Sequence, residues 1–105
     1  MHVSIDLTTD PAAVALLEPD DCGRFDVVAT GPGTAEDLDR ALREAAVGRG
    51  DGAEVLVTVE AVRRLAAGAV GDGWEADFAA MTDYAATKGW LSEDGGAIRA
   101  HVKWR

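Results

Sequence analysis

Apolar and polar positions alternate at the start of the chain: Val3, Ile5 and Leu7 are separated by Ser4 and Asp6, the period of two of a strand buried on one face. A second short apolar run, Phe25, Val27 and Val28, ends near Thr30 and is cut off by Gly31-Pro32-Gly33, which reads as a strand followed by a break. Between these runs Asp10-Pro11 has the form of a helix cap and first helical residue. Ala13, Val14 and Leu17 can share a helical face as far as Pro19, so a short helix is expected there, followed by a turn over residues 18–23. Thr34 then precedes Glu36 and Asp37, and Leu38, Ala41, Leu42, Ala45 and Ala46 recur at helical spacing. An acid-capped amphipathic helix follows from that pattern.

Gly48 to Gly52 reads as a loop, and Glu54 to Val59 is β-branched enough for a third strand, with helix as the competing assignment. Val62, Leu65, Ala66 and Ala69 predict a helix directly after it, ending near Gly68 or Gly71. Asp72-Gly73-Trp74-Glu75 has the form of a capping box. Trp74, Phe78, Met81 and Ala85 form one stripe with Tyr84 beside it, and Gly89 is a natural stop. From Ala97 the alternation is strict: Ile98, Ala100, Val102 and Trp104 against Arg99, His101, Lys103 and Arg105, a strand with one apolar and one basic row. The predicted fold is α+β, or small α/β. It is a single two-layer domain over residues 1–105, with about four strands and three to four helices packed mainly on one face. The predicted order is strand, helix, strand, helix, strand, two helices, strand.

Over residues 25–104 this order resembles that of the small acidic ribonuclease inhibitors of the barstar type. The resemblance is one of topology: their acidic binding helix and Tyr-Tyr-Gly segment have no counterpart here, so it carries over no functional residue.

Charge narrows the partners. The 105 residues hold 19 acidic and 10 basic side chains, for a formal net charge of −9, so nucleic acid and anionic membrane surfaces are repelled. Residues 96–105 hold three bases and no acid. No run of 18 apolar residues occurs, Cys22 is the one cysteine, and the opening residues lack the pattern of an export signal; the expectation is a cytoplasmic protein without a membrane span.

Candidate chemistry is sparse. Gly31-Pro32-Gly33 lacks the spacing of a phosphate loop, Pro32 removes a donor, and Glu36 and Asp37 stand where an anion would rest. Asp20-Asp21-Cys22 lacks a second half for a metal site, so no metal or cofactor is expected. Arg99, His101, Lys103 and Arg105 share one strand face and are the candidate anion-binding set, or else pair across strands with acids such as Asp6 or Asp26 and guard a sheet edge. Asp20, Asp21, Glu36, Asp37 and Asp39 are close enough in sequence to form one acidic face for a basic partner. Trp90 and Trp104 are the candidate interface anchors.

The leading expectation is a non-catalytic protein-interaction module, either self-associating or binding a basic protein. The alternative is a small ligand-binding domain or enzyme with a pocket between sheet and helices. There Arg99 and His101 would meet the substrate, with Tyr84 or Cys22 near it.

Overall fold

Val3 and Ile5 are fully buried while His2, Ser4 and Asp6 are half-exposed, so the first strand does what its alternation requires. The computed structural model covers all 105 residues. Its elements are β1 (His2–Asp6), β2 (Ala13–Leu17), β3 (Asp26–Thr30), α1 (Ala35–Glu44), β4 (Gly48–Asp51), β5 (Glu54–Thr58), α2 (Val59–Ala66), α3 (Trp74–Thr87) and β6 (Ala97–Trp104). The six strands form one mixed sheet in the order β2-β1-β3-β6-β5-β4. Its centre is parallel, β1 with β3 and β3 with β6, and its flanks are antiparallel.

The fold is thus α+β with three helices, but two segments differ from expectation. Residues 13–17 form strand β2 instead of a helix, pairing antiparallel with β1 so that Val14 lies beside Ile5 and Leu16 beside Val3. Five apolar residues satisfy either period, and alignment with the buried row of β1 decides for the strand. The tight turn before it is held locally: the Thr8 amide and hydroxyl donate to the Asp6 carboxylate at 2.9 and 2.5 Å, and the Ala13 amide donates to Thr9 Oγ1 at 3.1 Å. Residues 48–51 form strand β4 instead of a loop, in a hairpin with β5. Gly48 has no room for a side chain, since a Cβ there would overlap the Leu56 carbonyl. The glycine that reads as a breaker is what lets the strand approach.

Pairing register assigns the two faces. Val3, Ile5, Val27, Ala29, Val55, Val57, Ile98 and Ala100 share one face, and with Leu38, Leu42, Val62, Trp74 and Phe78 they make one continuous core. All three helices pack on this face. The opposite face carries no helix, and its buried side chains Val28, Leu56 and Ala97 stand outside that core.

Thr34 caps α1 through a reciprocal box: the Asp37 amide donates to Thr34 Oγ1 at 3.2 Å and the Thr34 amide donates to the Asp37 carboxylate at 2.9 Å. At α3 the predicted capping box does not form. The helix starts one residue later than that box requires, so Gly73, with no side chain to offer, is the N-cap, and Glu75 accepts from Arg63 at 2.7 Å. Trp74 anchors that end, its indole N–H donating to the Pro19 carbonyl at 2.7 Å and its ring stacked on Phe78 at 4.8 Å. No helix is long and apolar enough to cross a membrane.

Candidate interaction cleft

β6 begins before β3 reaches it, since the two pair only from Val27 against Val102 onward. The first residues of β6 are flanked instead by the segment after α3, where Leu91 bridges Ile98 and the Arg99 amide donates to the Trp90 carbonyl at 2.6 Å. Residues 20–25, leading into β3, are thereby held away from β6. Beneath α3 this leaves a cleft of about 720 Å³ at the amino ends of the central strands.

Phe25, Met81, Ala85 and Ile98 give the cleft an apolar lining. Tyr84 and Trp90 form its lip, in edge-to-face contact at 6.0 Å, and they are 56% and 45% exposed. Rings so open to water, standing side by side, are the least expected feature of a small acidic surface. Asp20, Asp21 and Asp77 supply negative charge against Arg24 and Arg99 of the same lining, and none of the three carboxylates enters an ion pair within the chain. Their field is felt at Cys22: burial, then the Asp77, Asp21 and Asp20 carboxylates, push its thiol above the usual range. A protonated thiol is a poor nucleophile and a poor metal ligand.

Of the residues singled out from sequence, the cleft gathers Asp20, Asp21, Trp90 and Arg99, and with them Cys22 and Tyr84, the two expected near Arg99. The acids do not form one face: Asp20 and Asp21 precede β3, whereas Glu36, Asp37 and Asp39 follow it on α1, a strand length of about 17 Å away. Asp37 and Asp39 are also committed internally. Hydrogen bonds from Thr34 hold Asp37 below the usual carboxylate range, and the Gly50 amide and Arg43 do the same for Asp39. Trp104 is 45% exposed but sits at the far end of β6 from Trp90, so the two rings make no continuous patch.

The basic row of β6 lies on the open face of the sheet. Arg99 pairs with Asp51 and, at 3.8 Å, with Glu54; His101 Nδ1 is 3.2 Å from Glu54; Lys103 is 2.9 Å from Asp26. Cross-strand pairing thus engages Asp26, while Asp6 turns to Thr8. β6 lies inside the sheet, between β3 and β5, and so guards no edge. The His101 side chain is 86% exposed and outside the cleft, so Arg99 and His101 do not converge on a common pocket.

Asp77 was missed in the sequence, where Met81 reads as part of the core stripe and Tyr84 as its neighbour, although the three recur at i, i+4 and i+7 along α3. No group of three or more His, Cys, Asp or Glu side chains is placed to hold a metal ion. No protein-family model matches the chain, and no curated protein or solved structure matches it.

Proposed function

We propose that this protein is a non-catalytic protein-interaction module whose contact site is the cleft under α3, which receives a basic, partly apolar segment of a protein partner. The observation that carries this is the pairing of two open aromatic rings, Tyr84 and Trp90, with the unpaired carboxylates of Asp20, Asp21 and Asp77. An Arg or Lys side chain has the matching form: an aliphatic stem for the apolar lining, a cation for the carboxylates, and a charge that favours the face of Trp90, the Tyr84 ring already holding Lys88 at 5.5 Å. Long-range attraction to a body of net charge −9 adds speed to the encounter.

Titrating the isotope-labelled protein with short peptides bearing Arg beside Leu, and with counterparts bearing Glu, tests this by amide and indole shifts. Basic peptides are expected to move Asp77, Tyr84 and the Trp90 indole, and to lose the effect in about 1 M salt, where the Debye length is about 3 Å. Equal response to acidic peptides, or shifts confined to other surfaces, would overturn the reading.

A further inference from the structure

The sheet ends on one side in β2, and no charge or proline falls within the strand itself, although Asp10-Pro11 and Glu18-Pro19 flank it and α2 packs against it. Strand edges are normally blunted by a charge, a proline, a bulge or a covering element. The β2 residues Ala13, Val14, Ala15, Leu16 and Leu17 include no charge and no proline, and they pair in unbroken register with β1. Leu17 is 45% exposed. The ladder direction follows from the next strand: the Leu7 amide donates to Thr30 of β3, so Asp6, Ser4 and His2 turn theirs toward β2 and their partners Ala13, Ala15 and Leu17 answer them. The N–H and C=O groups of Val14 and Leu16 are then directed to the free side, by the alternation of an antiparallel ladder.

We infer that this edge is a self-association site, at which β2 pairs antiparallel with β2 of a second copy about a two-fold axis at Ala15, joining two sheets into one of twelve strands. Three observations single out a second copy. Turned about Ala15, the sequence is its own complement: Val14 meets Leu16 on the helix-covered face, Ala13 meets Leu17 on the open face, and Ala15 meets Ala15. The outward groups of Val14 and Leu16 supply the hydrogen-bonded pairs, and the close, non-bonded pair at the axis falls on the small residue, where Cα atoms approach to about 4.5 Å. Charge is the second argument. Two bodies of net charge −9 repel over most orientations, whereas β2 is uncharged and the ion pair of the open face nearest to it, Lys103 with Asp26 at 2.9 Å, is neutral as a whole. Third, the opposite edge is obstructed at β4, where Asp39 already accepts the Gly50 amide at 2.7 Å. Pairing through β2 alone closes at two copies and does not propagate.

Asp10 and Glu18 flank β2, so like charges meet at both ends of the joint, and added salt is expected to strengthen it. Binding of a basic segment in the cleft has the opposite salt response, which keeps the two sites distinguishable. Sedimentation of the full chain across concentration, at low and high salt, is the first test, with a monomer–dimer equilibrium shifted toward dimer by salt as the expected result.

Ala15→Lys leaves the β1 pairing and the core untouched, because Ala15 is exposed, and is expected to weaken the dimer by about tenfold through like charges directly opposed. On a Cys22→Ser background, Ala15→Cys is expected to oxidise to a disulfide-linked dimer, since the axis pair lies within disulfide reach. Ala13→Cys is not, its mate lying about 14 Å along the strand. A chain that stays monomeric at all concentrations and salts, an Ala15→Lys variant that dimerises like the parent, or equal cross-linking at residues 13 and 15 would each overturn the inference.

Discussion

The two edges of the sheet, β2 and β4, are built on opposite principles. β4 is four residues long, carries Arg49 and Asp51, and has glycine where it meets α1, at Gly50, and where it crowds β5, at Gly48. Asp39 of that helix accepts the outward Gly50 amide and, from the same carboxylate, the Arg43 guanidinium at 2.9 Å. A helix side chain thus takes the donor that an incoming strand would use. β2 is longer, wholly apolar and bonded on one side only. Its outer backbone groups meet water, and its side chains are divided between the core and the open face. What the contrast teaches is that strand chemistry does not make an edge safe or adhesive by itself. The neighbour that reaches its outward N–H groups does, and α1 has such a side chain whereas nothing beside β2 does.

The contrast breaks hardest at Gly48. Gly48→Ala would drive a Cβ into the Leu56 carbonyl, so β4 must leave β5 or the hairpin must shift; we expect a loss of about 3 kcal/mol in denaturant unfolding, typical of overpacking against fixed atoms. Ala15→Thr, the matching change on β2, adds a branched side chain to an exposed strand position and is expected to alter stability by less than about 0.5 kcal/mol. Equal losses at the two sites would show that the edges are not held differently. Next in size is Thr34→Ala. It removes the cap that fixes the first turn of α1, at a cost of about 1 kcal/mol, and faster exchange of the Gly50 amide is the sign that the helix end and the β4 edge are coupled. Smaller still is Asp39→Asn, which keeps an acceptor for Gly50 but drops the charge that draws Arg43. The expected result is faster exchange at Gly50 with no change at Val14 or Leu16.

Much of this architecture was legible in the residues. The strict alternations of β1 and β6 and the Thr34 cap of α1 each had one reading, and each formed where its pattern put it. β2 and β4 were illegible for opposite reasons. Ala13 to Leu17 is too uniformly apolar to declare a period, and only register with Val3 and Ile5 decides it. Gly48 to Asp51 has almost no side chains to declare anything, and it is a strand because β5 lies beside it. The cleft was half visible: Asp20 and Asp21 drew notice as part of an acidic face, Trp90 as an anchor, and Tyr84 and Cys22 as neighbours of Arg99 in a pocket. Their convergence with Asp77 depends on Trp74 fastening α3 to Pro19 across 55 residues of sequence, which no local pattern contains.

Acid gives the finest probe of the two edges, because the protection at β4 is itself a carboxylate. The Gly50 amide and then Arg43 hold Asp39 below its ordinary value of 3.8. A carboxyl whose value is depressed by folding stabilises the folded form above its unfolded value, and that contribution is lost as pH falls through the folded one. Asp37 in the α1 cap is depressed by Thr34 and follows the same sign, so helix end and edge lose their holds in one window, beginning below about pH 4. Above that window, Gly50 exchange corrected for intrinsic rate is expected to be flat; within it, protection at Gly50 falls first. The outward amides of Val14 and Leu16, with no carboxylate upon them, have no matching step of their own. If Gly50 and these two amides lost protection together across the whole acid range, Asp39 would not be what closes the β4 edge.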